Sequence, residues 1–355
     1  MRILHLAPRL SDRGGADWHL LGLLDALHPQ HVNMLAVGQV DGSVNTAVSV
    51  RVLEGLDARE ACQVALESTA SFSPDLIHLH NIVNPAVLEW AASRPAILTI
   101  QDHRFFCPGR GKWTRQGEVC RRPMSGQNCA GCFDDDSYYL QIFNLTKKRL
   151  KAASAIALLV LSGYMRTELM AMGIPESRIS VIPPFVSGLD SNALKGSSGA
   201  DYVLFAGRLV EAKGVQDAVA AWRRSEIKKP LVFAGTGPLR SQLERQGLDV
   251  RGWMSHRRLS KMYQDAGVVI MPSRWQEPFG IVGLEALFSG VPVAAYRSGG
   301  IEEWHPGEGL VQWGDIDGLA HALRDLWGKS AKVSDRFDRA LLMDQLIHTY
   351  LGLIG

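Results

Sequence analysis

The feature that most constrains this chain is an alternation that runs, stops and starts again. Short apolar or β-branched runs meet a loop marked by Gly or Pro, and an amphipathic stretch follows, which is the pattern of βαβ units on a parallel sheet. Arg2 to Ala7 reads as a strand, Pro8 to Gly15 as a loop, and Ala16 to Leu27 as a helix with Leu20, Leu23, Leu24 and Leu27 on one face. Further strands are expected at Val32–Val37, Leu76–His80, Ala96–Ile100 and the apolar run Ile156–Leu161. The alternation then halts at a polar, glycine-rich stretch, Ser187–Asn192 and Lys195–Gly199, the best domain boundary. Beyond it, strands are expected at Tyr202–Ala206, Pro230–Ala234, Val268–Met271 and Val291–Tyr296, with helices at Val215–Arg223, Leu239–Gln246 and Gly280–Ser289.

At roughly 150 residues per domain, 355 residues supply two such cores. The expected division is 1–184, 185–334 and a final helix, Asp335–Leu353 within 335–355, that leans back on the first domain. With 38 Lys+Arg against 36 Asp+Glu the net charge is +2, which speaks against a nucleic-acid partner, and 46% hydrophobic residues exclude disorder. The longest apolar run falls short of a bilayer span, and an odd count of five cysteines fits a reducing cytoplasm. Cys62 stands apart from the other four, in what reads as a helical pattern.

Open parallel sheets bind ligands beyond the carboxyl ends of their strands, so chemistry is expected in those loops and in the cleft between domains. Gly14-Gly15 opens the first helix, as an anion site or as a plain tight turn. After Tyr202–Ala206 comes Gly207-Arg208-Leu209-Val210-Glu211-Ala212-Lys213-Gly214, whose two cations either straddle a diphosphate or are merely solvated. After Val268–Met271, Arg274-Trp275-Gln276-Glu277-Pro278-Phe279-Gly280 leads into a helix that carries Glu285. Pro278 restricts Glu277 to extended geometry, and the N–H groups of Gly280 and Ile281 can hold a phosphate. The plainer reading makes both glutamates helix-terminus acids.

These two loops, with Val181-Ile182-Pro183 and Ser298-Gly299-Gly300, resemble the retaining glycosyltransferases of family 4, of the GT-B fold, and the resemblance runs over nearly the whole chain. It implies two facing Rossmann-like domains, a nucleoside-diphosphate sugar donor on the second and an acceptor on the first. It further implies Arg208 and Lys213 on the donor diphosphate, Glu277 on the transferred sugar, Glu285 on the ribose, Phe279 in the donor loop, and Val250 to Met254, in the loop before Ser255-His256, near the base. In Thr99-Ile100-Gln101-Asp102-His103, Gln101 occupies the place of the His that in the family contacts the donor sugar. Either Gln101 takes over that role or His103 does, and Asp102 with His103 as an acid/base pair is a further reading. With cations already at the diphosphate, no catalytic metal is expected.

His78 and His80 share one strand face, as a metal pair or as packing at the cleft rim. Cys107-x12-Cys120-x8-Cys129-x2-Cys132 has spacing that suits a structural zinc, with reduced structural thiols or a disulfide as the alternatives. Arg104, Arg110, Lys112, Arg115, Arg121 and Arg122, together with the run Lys147-Lys148-Arg149-Leu150-Lys151, make this part of the chain basic: a solvated surface, or one for an anionic or lipid-linked acceptor at a membrane. The expected function is transfer of a sugar to a hydroxyl of a carbohydrate-type acceptor in glycan or polysaccharide biosynthesis. A nucleotide-sugar epimerase and a non-catalytic carbohydrate-binding protein are the alternatives.

Overall fold

A computed structural model describes residues 1–42, 44–186 and 200–355; the expected boundary stretch at 187–199 lies outside the described residues. The chain divides into two units, residues 1–115, 121–185 and 336–355 in the first, and 116–120 and 186–335 in the second.

The first unit is built on a seven-stranded sheet of β1 (Arg2–Leu10), β2 (Val32–Val40), β3 (Ser49–Val52), β4 (Leu76–His80), β5 (Ala96–Ile100), β6 (Ala157–Val160) and β7 (Ile179–Val181). Its order is β3-β2-β1-β4-β5-β6-β7, and every pairing is parallel. Helices α1 (Gly15–Leu27), α2 (Pro85–Ala91), α3 (Gly126–Cys129), α4 (Asp136–Ala153) and α5 (Gly163–Met170) belong to this unit. Because the strand order reverses between β1 and β4, the loops leaving those two strands diverge and open a crevice.

The second unit repeats the plan with six strands in the order β10-β9-β8-β11-β12-β13. These are β8 (Tyr202–Ala206), β9 (Leu231–Ala234), β10 (Asp249–Gly252), β11 (Ala266–Met271), β12 (Val293–Tyr296) and β13 (Leu310–Val311). Around them are α6 (Val215–Arg224), α7 (Arg240–Arg245), α8 (His256–Asp265), α9 (Ile281–Phe288), α10 (Ile301–Trp304) and α11 (Ile316–Leu326). Val203, Phe205, Val268, Ile270, Ala294 and Tyr296 meet Val215, Val219, Leu319 and Leu323 in one buried core. Here the reversal falls between β8 and β11, so the cation loop and the glutamate loop leave the two strands that flank the switch point.

The last helix, α12 (Arg339–Ile354), presents Leu342, Leu346 and Tyr350 to a cluster with Ile3, Leu23, Leu27, Leu76, Ile97 and Leu159 of the first unit. Among the described residues, no helix is long and apolar enough to cross a membrane.

Four local expectations are corrected. β1 continues through Pro8 to Leu10, because β2 extends beside it and pairs Arg9 with Gln39 and Leu10 with Val40. Cys62 lies in irregular chain rather than a helix, where its thiol donates to the Gly55 carbonyl at 3.2 Å and its sulfur accepts from Asn84. Val250 is inside β10, held in register with Phe233, so the loop before α8 begins after Gly252. Arg149 is not part of a solvated basic run: it is buried, and its guanidinium donates to the Val83 and Arg59 carbonyls.

Candidate active site

In the second unit the two informative loops are tied together by their backbones. The amides of Arg274 and Trp275 both donate to the Ala212 carbonyl, at 2.9 and 3.1 Å. Gly214, at φ +68° where α6 begins, passes so close to the other loop that a Cβ there would lie 1.8 Å from the Pro272 carbonyl oxygen. Only glycine fits that approach. Arg274 adds a bidentate pair to Asp217 of α6 at 3.0 and 2.6 Å, and Tyr296 donates to the same carboxylate at 3.2 Å.

On this frame Lys213 Nζ lies 2.6 Å from Glu277 Oε1, and Ser273 Oγ donates to the same oxygen at 2.5 Å. Burial by itself would raise the Glu277 carboxyl, but the charge of Lys213 and the bonds from Lys213 and Ser273 bring it below the usual carboxylate range. It is a buried carboxylate kept ionised by its neighbours. Both cations also sit over the Trp275 ring, Lys213 at 4.4 Å and the exposed Arg208 at 5.6 Å from its centroid. Arg208, Lys213 and Glu277 are therefore gathered on one wall. Gly300 N–H donates to the Glu277 carbonyl, and Gly299, at φ +56°, leaves no room for a Cβ against that same carbonyl.

Gly280 precedes α9 in the left-handed region, at φ +87°, and Ile281 is its first helical residue. Phe279 is buried, and its carbonyl accepts from Trp304 Nε1 at 2.6 Å. Glu285, buried in α9, accepts from Tyr263 Oη at 2.9 Å and lies 3.3 Å from His256 Nε2. Tyr263 and His256 are thus the residues that aim Glu285, and neither was expected from the sequence. Their i, i+7 spacing on α8 was the available signal. Met254 is half-buried between β10 and α8.

In the first unit, Gln101 Nε2 donates to His19 Nδ1 at 3.2 Å, which joins the loop after β5 to α1. His19, four residues beyond Gly15 and therefore on the same helix face, is a polar intruder among leucines; burial pulls it down to about 4, so it is neutral near pH 7. Asp102 does not pair with His103. Its carboxylate takes the backbone and Nε of Arg104 at 2.9 and 2.7 Å and Asn81 Nδ2 at 2.9 Å. Burial would raise it, yet Arg104 and these bonds hold it below the usual range. His103 is buried with Nε2 at 3.4 Å from Tyr164 Oη. At the start of α1, Gly14 is the flanking residue in ordinary extended geometry, Gly15 is exposed, and the first turn already holds Asp17, paired with Arg9 at 2.8 Å.

His78 and His80 are joined by His5 of β1, and the three imidazoles have ligand atoms within 4.8 Å of one another. Their hydrogen bonding is that of a buried neutral network. His78 lies 2.6 Å from both Tyr350 Oη and Thr99 Oγ1, and His5 contacts His80 at 3.0 Å and Asn33 at 3.1 Å. Three cations of the basic segment are also engaged: Arg104 on Asp102, Arg115 on Asp134, and buried Lys112 on Glu168.

With this geometry in place, comparison with known proteins is informative. Residues 200–329 match the family model of glycosyl transferases group 1. The group 1 match therefore covers the unit that carries Arg208, Lys213, Glu277 and Glu285. An uncharacterized glycosyltransferase of Methanocaldococcus jannaschii is 29% identical over 216 residues, 52% of this chain and 54% of that protein. A Mycobacterium tuberculosis glycogen synthase is 32% identical over 188 residues, 48% of this chain and 42% of that protein. The chain spans about half the length of these curated relatives.

Among solved structures, Anabaena HepE in complex with UDP-glucose superposes with a TM-score of 0.66 at 18% identity, covering 99% of this chain and 100% of that one. Sucrose-phosphate synthase from Thermosynechococcus elongatus gives 0.68 at 17% identity, over 99% and 100% of the two chains. These likenesses establish the fold as that of GT-B glycosyltransferases, as expected from the sequence.

Proposed function

We propose that the chain is a retaining glycosyltransferase that moves a hexosyl or N-acetylhexosaminyl group from a nucleoside-diphosphate donor to a hydroxyl of a carbohydrate-type acceptor, lipid-linked acceptors included. It would act in glycan or polysaccharide biosynthesis, in the cytoplasm or at the inner face of a membrane. The observation that carries this reading is the wall on which Arg208, Lys213 and Glu277 converge, with Lys213 at 2.6 Å from the carboxylate. The group 1 match and the likeness to a UDP-glucose complex support it.

In this reading Arg208 and Lys213 neutralise the charge that grows on the departing diphosphate, aided by the α9 start at Gly280 and Ile281. Glu277, ionised before the donor arrives, accepts hydrogen bonds from the sugar hydroxyls, and Glu285, aimed by Tyr263, accepts them from the ribose. Since Lys213 and Ser273 already engage Glu277, it is a poor covalent nucleophile. Attack from the face of the leaving group, with the phosphate oxygen taking the acceptor proton, is the mechanism these residues favour. The acceptor would bind on the first unit, and there Gln101 stands in the place of the family's donor-sugar-contacting His. No divalent metal is assigned a role, because side-chain cations serve the diphosphate.

The test is incubation with a panel of nucleoside-diphosphate sugars and saccharide acceptors, with and without excess EDTA, the product being read by mass spectrometry and its anomeric proton by NMR. The expected outcome is a product that keeps the donor's anomeric configuration and forms undiminished in EDTA. An inverted product refutes retention, and activity lost in EDTA and restored by magnesium refutes the metal-independent clamp. An epimerised donor sugar in the absence of acceptor establishes the epimerase instead.

A further inference from the structure

At the end of β4 the chain leaves the sheet through a residue with a Cβ in the left-handed region, Asn81 at φ +55°. Asparagine tolerates that geometry better than other side chains do. His80 stands in register with Thr99, and the Asn81 amide donates to the Thr99 carbonyl at 2.8 Å, which continues the β4–β5 ladder by one rung. In a parallel ladder the next rung would carry the Gln101 amide to the Asn81 main-chain carbonyl. That amide goes instead to the Asn81 side chain, whose Oδ1 accepts it at 3.2 Å. A side-chain carbonyl has taken over the place of a main-chain one.

The other end of the same amide group is used as well. Asn81 Nδ2 donates to Asp102 Oδ2 at 2.9 Å, so one side chain grips two consecutive residues of the loop after β5. Its orientation is fixed chemically, since a main-chain N–H stands at one end and a carboxylate at the other. Arg104 holds Asp102 too, and buried Arg149 of α4 is the further charge that faces this carboxylate. Gln101, fixed at its main chain by Asn81, extends Nε2 to His19 Nδ1 of α1 at 3.2 Å. Because His19 is neutral near pH 7, an amide donating to Nδ1 leaves the imidazole proton on Nε2. A chain of contacts therefore runs from Asn81 through Gln101 to His19. It begins on β4, which with β1 flanks the point where the strand order reverses, so it borders the crevice of this sheet.

We propose that Asn81 is a positioning residue: by holding the Gln101 amide and the Asp102 carboxylate together, it sets where the Gln101 side chain stands and which nitrogen of His19 carries the proton. This role rests on the proposed function, in which Gln101 occupies the place of the donor-sugar-contacting His. Asn81 acts through Gln101 rather than on the substrate.

Asn81→Gly keeps the left-handed φ without strain and removes both side-chain bonds, so it separates the contact from the fold. Its thermal midpoint should stay near that of the unaltered protein and its Kd for the bare nucleoside diphosphate should be unchanged. Its kcat should fall about 10-fold or more, since a misplaced contacting group is costly in the transition state. Asn81→Asp keeps the acceptor for Gln101 but sets a second carboxylate against Asp102. Two carboxylates in contact hold a proton more tightly, so the defect, measured relative to the unaltered protein at each pH, should be deepest near pH 8. It should shrink as pH falls and a shared proton restores the bond. Nitrogen-15 spectra of the His19 imidazole give a readout that needs no activity: the Nε2-protonated tautomer in the unaltered protein, and a mixture of tautomers in Asn81→Gly. Absence of transfer by the unaltered protein would end the proposed function alone, and those spectra would still decide the role of Asn81. If Asn81→Asp does not fold, Asn81→Gly decides. Undiminished kcat in Asn81→Gly, a relative rate in folded Asn81→Asp that does not rise with acid, a His19 spectrum unmoved by Asn81→Gly, or a collapsed fold in Asn81→Gly would each overturn the proposal.

Discussion

Lys213 and Glu277 each gain from the other, and the pairing sets what their substitutions should do. A cation that stabilises charge on a leaving group contributes about 3 kcal/mol in the transition state. Lys213→Ala is therefore expected to lower kcat/KM about 10²-fold or more, and unchanged turnover would end its assignment. The two glutamates should separate by ligand. Glu285→Ala should weaken binding of the bare nucleoside diphosphate and of the sugar donor alike, whereas Glu277→Gln should weaken the sugar donor selectively; calorimetry with both ligands reads the difference. Gln101 and His103 can be ranked the same way. Gln101 reaches His19 across to α1, while His103 is buried against Tyr164, so Gln101→Ala should reduce turnover more than His103→Ala. The opposite order in steady-state rates would make His103 the active-site residue. The i, i+7 spacing of His256 and Tyr263 puts them on one face of α8 but does not say that they meet Glu285, 29 and 22 residues away, whereas Ser273, four residues before Glu277, was close enough for a local reading.

At the scale of elements, every strand the sequence reading missed is an edge: β3 and β7 in one sheet, β10 and β13 in the other. They are four, three, four and two residues long, and β3 is exposed throughout. Central parallel strands are covered on both faces and read as continuous apolar runs, whereas an edge strand acquires its conformation from the one neighbour it pairs with. The cation loop and the glutamate loop belong to central strands, which is why their placement was legible. One contact between them was not. Gly214 must pass beside Pro272 for the cation loop to reach the glutamate loop, so Gly214→Ala combines a left-handed φ with a steric overlap against backbone and should cost more than about 2 kcal/mol. Denaturant unfolding should show that loss, together with weakened nucleotide binding; a variant of unaltered stability would mean the loops are not clamped as described.

For the whole molecule, His5, His19, His78 and His80 are four imidazoles that the first unit buries away from water. Burial brings His5 and His19 down to about 4 from 6.5, and burial together with neighbouring histidines brings His78 and His80 well below 6.5. Each folded-state value is depressed, so the unfolded chain binds protons first as pH falls. The stability is complete above pH 6.5 and is lost on descending from 6.5 toward 4, on the order of 3 kcal/mol for His5 across that window. The thermal midpoint should drop between pH 7 and pH 5, with hydrogen exchange accelerating in β1 and β4; a flat midpoint over that range would contradict the buried neutral network. What the sequence by itself determined was the local grammar: apolar period, glycine at turns, and cations and carboxylates in loops that follow central strands, because each is written within about ten residues of chain. Only the tertiary structure decided that Lys213 meets Glu277, that Asp102 belongs to Arg104 and Asn81, that His5 completes a trio with His78 and His80, and that Tyr350 of α12 closes it. Each of those pairings except Asp102 with Arg104 joins residues from separate elements, and burial removes the water that would otherwise satisfy those groups, so packing rather than pattern chooses their partners.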